Sequence, residues 1–127
     1  MRLLTVGLSA GLLAACASAG DPGPLGEGER QYQRCYACHA LDPAETGLSG
    51  PPLLGIVGRP AAAVPGFDYS PALRAAAARG LVWTPEALDT FIRDPESLVP
   101  GTSMSPTGMA GAGDRAALIA YLREARP

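Results

Sequence analysis

A chain of 127 residues fits one domain by size, near the lower edge of what closes a comfortable hydrophobic core. Sixteen Gly and thirteen Pro against two Phe and one Trp predict a thin core and plentiful loops, so either the fold is small or something other than side chains fills its centre. Ten basic residues, all Arg, against twelve acids give a net charge of −2; with no basic run and no aromatic-basic interleaving, this excludes a nucleic-acid-binding role and leaves only weak steering toward an acidic partner.

Met1 and Arg2 give a short positive start, and residues 3–15 follow as an uncharged, mostly apolar run. That run is too short to span a bilayer, which needs roughly 20 residues, and reads as an export signal. Two cleavage readings compete. LAAC (13–16) is similar to the bacterial lipoprotein box, in which the cysteine, here Cys16, takes a lipid and becomes the new N-terminus. ASA (17–19) instead fits the small-x-small rule, with cleavage after residue 19 and Cys16 discarded. A cysteine directly after Leu-Ala-Ala favours the first reading. The expected organisation is therefore an export signal over 1–15, a flexible tether of small, Gly- and Pro-containing residues over 16–24, and a folded domain over 25–127.

Gly28, Tyr32, Cys35 and Tyr36 recur at i, i+4, i+7 and i+8, which predicts a first helix with the cysteine pair at its end. Residues 40–70 are crowded with Gly and Pro and keep no period. A loop this long is suspect in a small domain unless it wraps something. SPALRAAAARG (70–80) predicts a short helix capped by Ser70, opened by Pro71 and stopped by Gly80. TPEALDTFIRDP (84–95) repeats the device with Thr84, Pro85 and Pro95, and puts Leu88, Phe91 and Ile92 on one face. After a second loop over 97–113, Asp114 is a good cap for a last helix carrying Leu118, Tyr121 and Leu122 at i, i+3 and i+4. No strand alternation or internal repeat is present, so the fold class is all-α, with about four short helices and long loops.

RCYACHA (34–40) carries the chemistry. A structural zinc site uses four Cys or His ligands. This chain offers Cys35, Cys38 and His39, plus a Cys16 that is lipidated or cleaved away. A dithiol couple also uses Cys-x-x-Cys, but at the start of a helix in a βαβ setting that is missing here. Cys-x-x-Cys-His is the signature of covalent haem attachment. On a helical turn, Cys35 and Cys38 can each form a thioether on one porphyrin edge, and His39 can place a nitrogen on the iron. An export signal fits, because c-type haem is attached on the outer side of the membrane. A haem also supplies the missing core and gives the loops something to wrap. With one histidine in the chain, a second axial ligand falls to a methionine, and Met104 and Met109 are those beyond the leader.

From about Leu25 onward the chain resembles the class I c-type cytochromes, in particular the mitochondrial-type branch and its bacterial relatives. CYACH matches the attachment motif, and GPPLLGIVGR (50–59) resembles the Gly-Pro-x-Leu segment followed by Gly-Arg. PGFDYSPAL (65–73) is similar to the Gly-Phe-x-Tyr stretch, Trp83 stands at the family's tryptophan, VPGTSM (99–104) matches the methionine-bearing segment, and LIAYL (118–122) matches the terminal helix. The resemblance implies the class I cytochrome c fold around one covalent haem c. It implies His39 and Met104 as axial ligands, with Met109 packing near the haem edge. It further implies that the Pro51 carbonyl accepts from the other imidazole nitrogen, and that Arg59, Tyr69, Trp83 and Thr102 hydrogen-bond or screen the propionates. Gly28 and Tyr32 would pack on the last helix near Tyr121.

The same resemblance exposes departures. Phe91 falls where mitochondrial members carry a tyrosine whose hydroxyl can reach the methionine sulfur. Ser103 replaces the lysine common before that methionine, and the chain has no Lys, so the lysine ring that meets acidic partners is missing. The function implied is an exported, non-enzymatic one-electron carrier that passes electrons between respiratory or other redox complexes of the membrane as its donor and acceptor. It would be a monomer on the periplasmic side of a bacterial membrane, lipid-anchored if Cys16 is modified and soluble otherwise. Competing expectations are a haem subunit fixed in a larger dehydrogenase or oxidase, and a ligand-binding haem sensor or enzyme; against the latter, the only His is already used as a ligand.

Overall fold

A computed structural model describes residues 23–125. Cys16, the leader and most of the expected tether lie outside the described residues. Five helices follow in order: α1 (Gly23–Tyr32), α2 (Pro71–Ala78), α3 (Pro85–Arg93), α4 (Pro95–Leu98) and α5 (Ala112–Glu124). Among the described residues the only strand-like pairing is an isolated antiparallel bridge between Pro60 and Val82.

The caps of the two middle helices follow from sequence. Ser70 Oγ accepts from Leu73 N at 3.1 Å, and Thr84 Oγ1 accepts from Ala87 N at 3.2 Å, each with proline in the first helical turn. α2 is stopped just past its end by Gly80, whose φ is +91°; Gly80 N donates to Ala77 O and Leu81 N reaches back to Ala76 O, closing a Schellman motif.

Three expectations are corrected. The first helix stops at Tyr32, and the cysteines lie beyond it in tight turns, with Gln33, Arg34 and Cys35 each donating to the carbonyl three residues back. Pro95 ends α3 and also opens α4, a four-residue helix the sequence reading lacked, because a proline without an N–H is tolerated at a first helical position. The last helix starts at Ala112 with Gly111 as cap residue, so Asp114 sits inside the first turn, where its charge suits the positive helix end.

α1 packs on α5, and α3 packs on both α4 and α5. At the first crossing a Cβ on Gly28 would overlap Ala117 O and the Tyr121 Cβ, so only glycine permits this approach. The Tyr32 and Tyr121 rings stand 5.7 Å apart beside it. The core then runs from Tyr32 through Ile56, Trp83, Leu88, Phe91 and Ile92 to Val99, Met109, Leu118, Ile119 and Leu122. The long loop over 40–70 is pinned rather than loose: Gly50 N donates to Cys38 O, Leu53 N to Ala40 O, Gly58 N to Trp83 O and Ala61 N to Leu81 O.

Candidate functional site

A largely apolar cavity of about 490 Å³ occupies the centre of the fold, where the composition left too few large side chains. Cys35, Cys38 and His39 line it from the turns after α1, and Met104 lines it from the loop between α4 and α5. Pro51, Arg59, Tyr69, Trp83 and Thr102 all belong to the same wall, so residues spread from Cys35 to Met104 in sequence meet in one space. Cys16 lies outside the described residues. Met109, the rival for the iron, is 2% exposed, sits in the hydrophobic core and is not part of the wall.

The backbone fixes the histidine before any ligand is considered. Cys38 N and His39 N both donate to Cys35 O, at 3.0 and 2.9 Å, which holds the Cys-x-x-Cys-His turn closed. Tyr32 Oη donates to His39 O at 3.0 Å. His39 Nδ1 lies 2.8 Å from Pro51 O, an acceptor only, so Nδ1 carries the proton and Nε2 keeps its lone pair. Burial pushes the His39 pKa below its ordinary value, partly opposed by that carbonyl; the neutral, metal-binding form is favoured. Gly50 forms a cradle for the ring, because a Cβ there would overlap three of its atoms.

Burial also pushes the Cys35 thiol up, the opposite of what a reactive dithiol requires. The pair is free of a disulfide, with Cys38 exposed and Cys35 half-buried.

On the other wall, Arg59 lines the cavity and its guanidinium is fixed by donating to Leu54 O at 3.2 Å and to Pro52 O at 3.1 Å. Burial lowers its pKa, and the neighbouring Tyr69 opposes the shift. Tyr69 Oη accepts from Val64 N at 3.1 Å and so retains its own proton to donate. Phe67 meets Tyr69 edge-on at 4.8 Å, and Phe91 meets Trp83 at 4.9 Å. Phe91 lines the cavity with a ring that has no hydroxyl to offer.

The Met104 loop is held from outside. Arg115, 5% exposed on α5, pairs with Asp89 of α3 at 2.7 Å and donates to Met109 O and Ala110 O at 3.1 and 2.7 Å. Thr102 Oγ1 accepts from Met104 N at 3.3 Å. Sequence reasoning missed Arg115, Gly50 and Phe67. Arg115 looks like any charged residue of a terminal helix, whereas a glycine directly before Pro51 was a usable signal for the cradle.

The donor set fits a covalently held haem. Two thiols lie at one rim, an oriented neutral imidazole stands beside them, a thioether lines the same space, and the interior is apolar. Comparison with known proteins agrees. No protein-family model matches the chain. The chain is 40% identical over 100 residues to cytochrome c2 of Agrobacterium tumefaciens (strain II Chrys), covering 79% of this chain and 90% of that one. It is 46% identical over 92 residues to cytochrome c type-1 of Ascaris suum, covering 72% and 79%. The solved structure of cytochrome c2 from Rhodospirillum centenum superposes with a TM-score of 0.75 at 31% identity, covering 83% of this chain and 100% of that one.

Proposed function

The chain belongs to the class I cytochrome c family, and on that premise we propose how its residues carry electron transfer. It is an electron carrier of the cytochrome c2 type rather than an enzyme, and it carries one covalently bound haem c. Cys35 and Cys38 would hold the group by thioethers, and His39 Nε2 and the Met104 sulfur would ligate its iron. The observation that carries this assignment is that His39, oriented through Pro51 O, and Met104 line one cavity whose rim bears both cysteines, while Met109 is packed away in the core.

A haem held there would supply one-electron chemistry; with His39 and Met104 both given to its iron, this chain would leave no position for a substrate, and Met/His ligation would raise the potential. The surrounding residues keep that state. Pro51 O fixes the tautomer and tilt of His39, a contact that tunes ligand basicity. Leu88, Phe91 and Ile92 close the interior to water. Arg59 brings a cation and Tyr69 an unused hydroxyl proton to the same wall, and with Trp83 and Thr102 they would offset the propionate charges of a bound haem.

Oxidised Met104→Ala protein should become high-spin or solvent-ligated, whereas Met109→Ala should keep the methionine-ligated spectrum. Rapid binding of carbon monoxide to the reduced wild type at neutral pH would overturn the carrier reading.

The finer setting is an exported protein, tethered through a lipid on Cys16 and passing electrons between membrane redox complexes on the periplasmic side. LAAC supports it, together with a net charge too small to steer partners strongly. A single acyl chain binds a membrane only marginally, so the anchor requires several. Residues 16–24 would then keep the haem domain near its partners at high effective concentration. Intact mass from the native membrane tests this: a lipid-bearing Cys16 is expected, and an N-terminus at Gly20 would sink the tether.

A further inference from the structure

The segment that presents Met104 is short of backbone anchors. From Ser103 to Gly111 it contains no helix or strand, and Ser, Pro, Thr and Gly dominate it. Thr107 stands three residues beyond Met104 and lines the same cavity. Its Oγ1 donates to Ile92 O at 2.9 Å and accepts from Met109 N at 3.1 Å. Ile92 O is one of the last carbonyls of α3, which the amides of that helix do not reach. One hydroxyl therefore joins the carbonyl end of a core helix to the loop, with its donor and an acceptor site both used.

We propose that Thr107 is a positioning residue for the axial methionine, latching the Met104 loop onto the end of α3 and setting how rarely it opens to another ligand. This rests on Met104 being the distal ligand. Met109, two residues after Thr107, is buried in the core, so the loop leaves the cavity by moving the residues before Met109. That motion separates Thr107 from Ile92. The bond exists only in the closed form, and its loss enlarges the open fraction. Apparent affinity for an external ligand rises in proportion to that fraction.

The test is an imidazole titration of the oxidised holoprotein at neutral pH, following the methionine–iron charge-transfer band in wild type, Thr107→Val and Thr107→Ser. Valine keeps the shape and removes both hydrogen bonds; serine keeps the hydroxyl. Thr107→Val should bind imidazole about tenfold more tightly than wild type, the scale of one buried hydrogen bond with its orphaned partner, and Thr107→Ser should stay within about twofold. Thr107→Ala removes the same bonds and serves if the valine variant does not fold. Denaturant unfolding of each variant separates the latch from general stability. A lower unfolding midpoint with unchanged imidazole affinity would overturn the proposal. A wild type without the methionine–iron band would instead overturn the Met104 assignment, and the latch with it.

Discussion

The two walls of the cavity are built by different means. On the histidine side, main-chain bonds close the turn at Cys35, Pro51 O holds the ring, and Gly50 supplies a fitted surface behind it. On the methionine side, the loop has no regular structure and is held mainly by side chains, through Thr102, Thr107 and the buried Arg115. Backbone contacts are nearly indifferent to side-chain substitution, whereas each side-chain tie is one residue deep. The histidine wall should thus suffer most when space is invaded and little from the loss of one contact, and the methionine wall should fail by losing single contacts.

The harshest way to break the contrast is Gly50→Ala. Its Cβ would overlap the His39 ring, and the neighbouring Pro51 cannot shift without losing its bond to Nδ1. Destabilisation of about 3 kcal/mol or more is expected, with a reduced yield of haem-bearing protein, read by denaturant unfolding and haem content. Near-normal stability would mean that the cradle is pliable.

Arg115→Leu probes the other wall. It leaves Met109 O and Ala110 O without their donor and strands Asp89, which is 38% exposed and can recover water. That exposure lowers the expected cost to about 2 kcal/mol, below a fully buried pair. Chemical denaturation measures it, and a loss under a few tenths would show that the loop does not depend on α5.

Tyr32→Phe is the mildest. It removes the bond to His39 O but leaves the turn its main-chain bonds, for a loss of about 1 kcal/mol at neutral pH. Its sharper signature is in alkali. Burial, chiefly, pushes the Tyr32 pKa from 10.0 up to about 12, so folding favours the protonated phenol. That contribution is complete below pH 10 and disappears as the pH rises toward 12. Unfolding midpoints across this window should fall less steeply in the phenylalanine variant than in wild type.

How much of this was legible in the sequence depended on whether the signal was local. Ser70-Pro71 and Thr84-Pro85 mark their helices because a cap and a preset φ act within one turn. Cys35, Cys38 and His39 announce chemistry through fixed spacing. Pro95 was half-read, since a proline that stops one helix opens another equally well. Thr107 and Arg115 gave no sign, because what distinguishes them is which distant carbonyl they meet. The single histidine leaves two methionines beyond the leader as candidates for a second ligand, and what composition does not show is that Met104 lines the cavity while Met109 is buried in the core.

The close approach at Gly28 also bears on the order in which the protein can be made. α1 emerges first during synthesis, yet the surface it needs belongs to α5, which emerges last. Until then the turn carrying Cys35 and Cys38 follows a helix with no tertiary support, and short isolated helices are marginal in water. The support for the turn that bears Cys35 and Cys38 is thus supplied by the residues farthest from it in the described chain, so a truncation that removes α5 strips α1 of its helix partner as well.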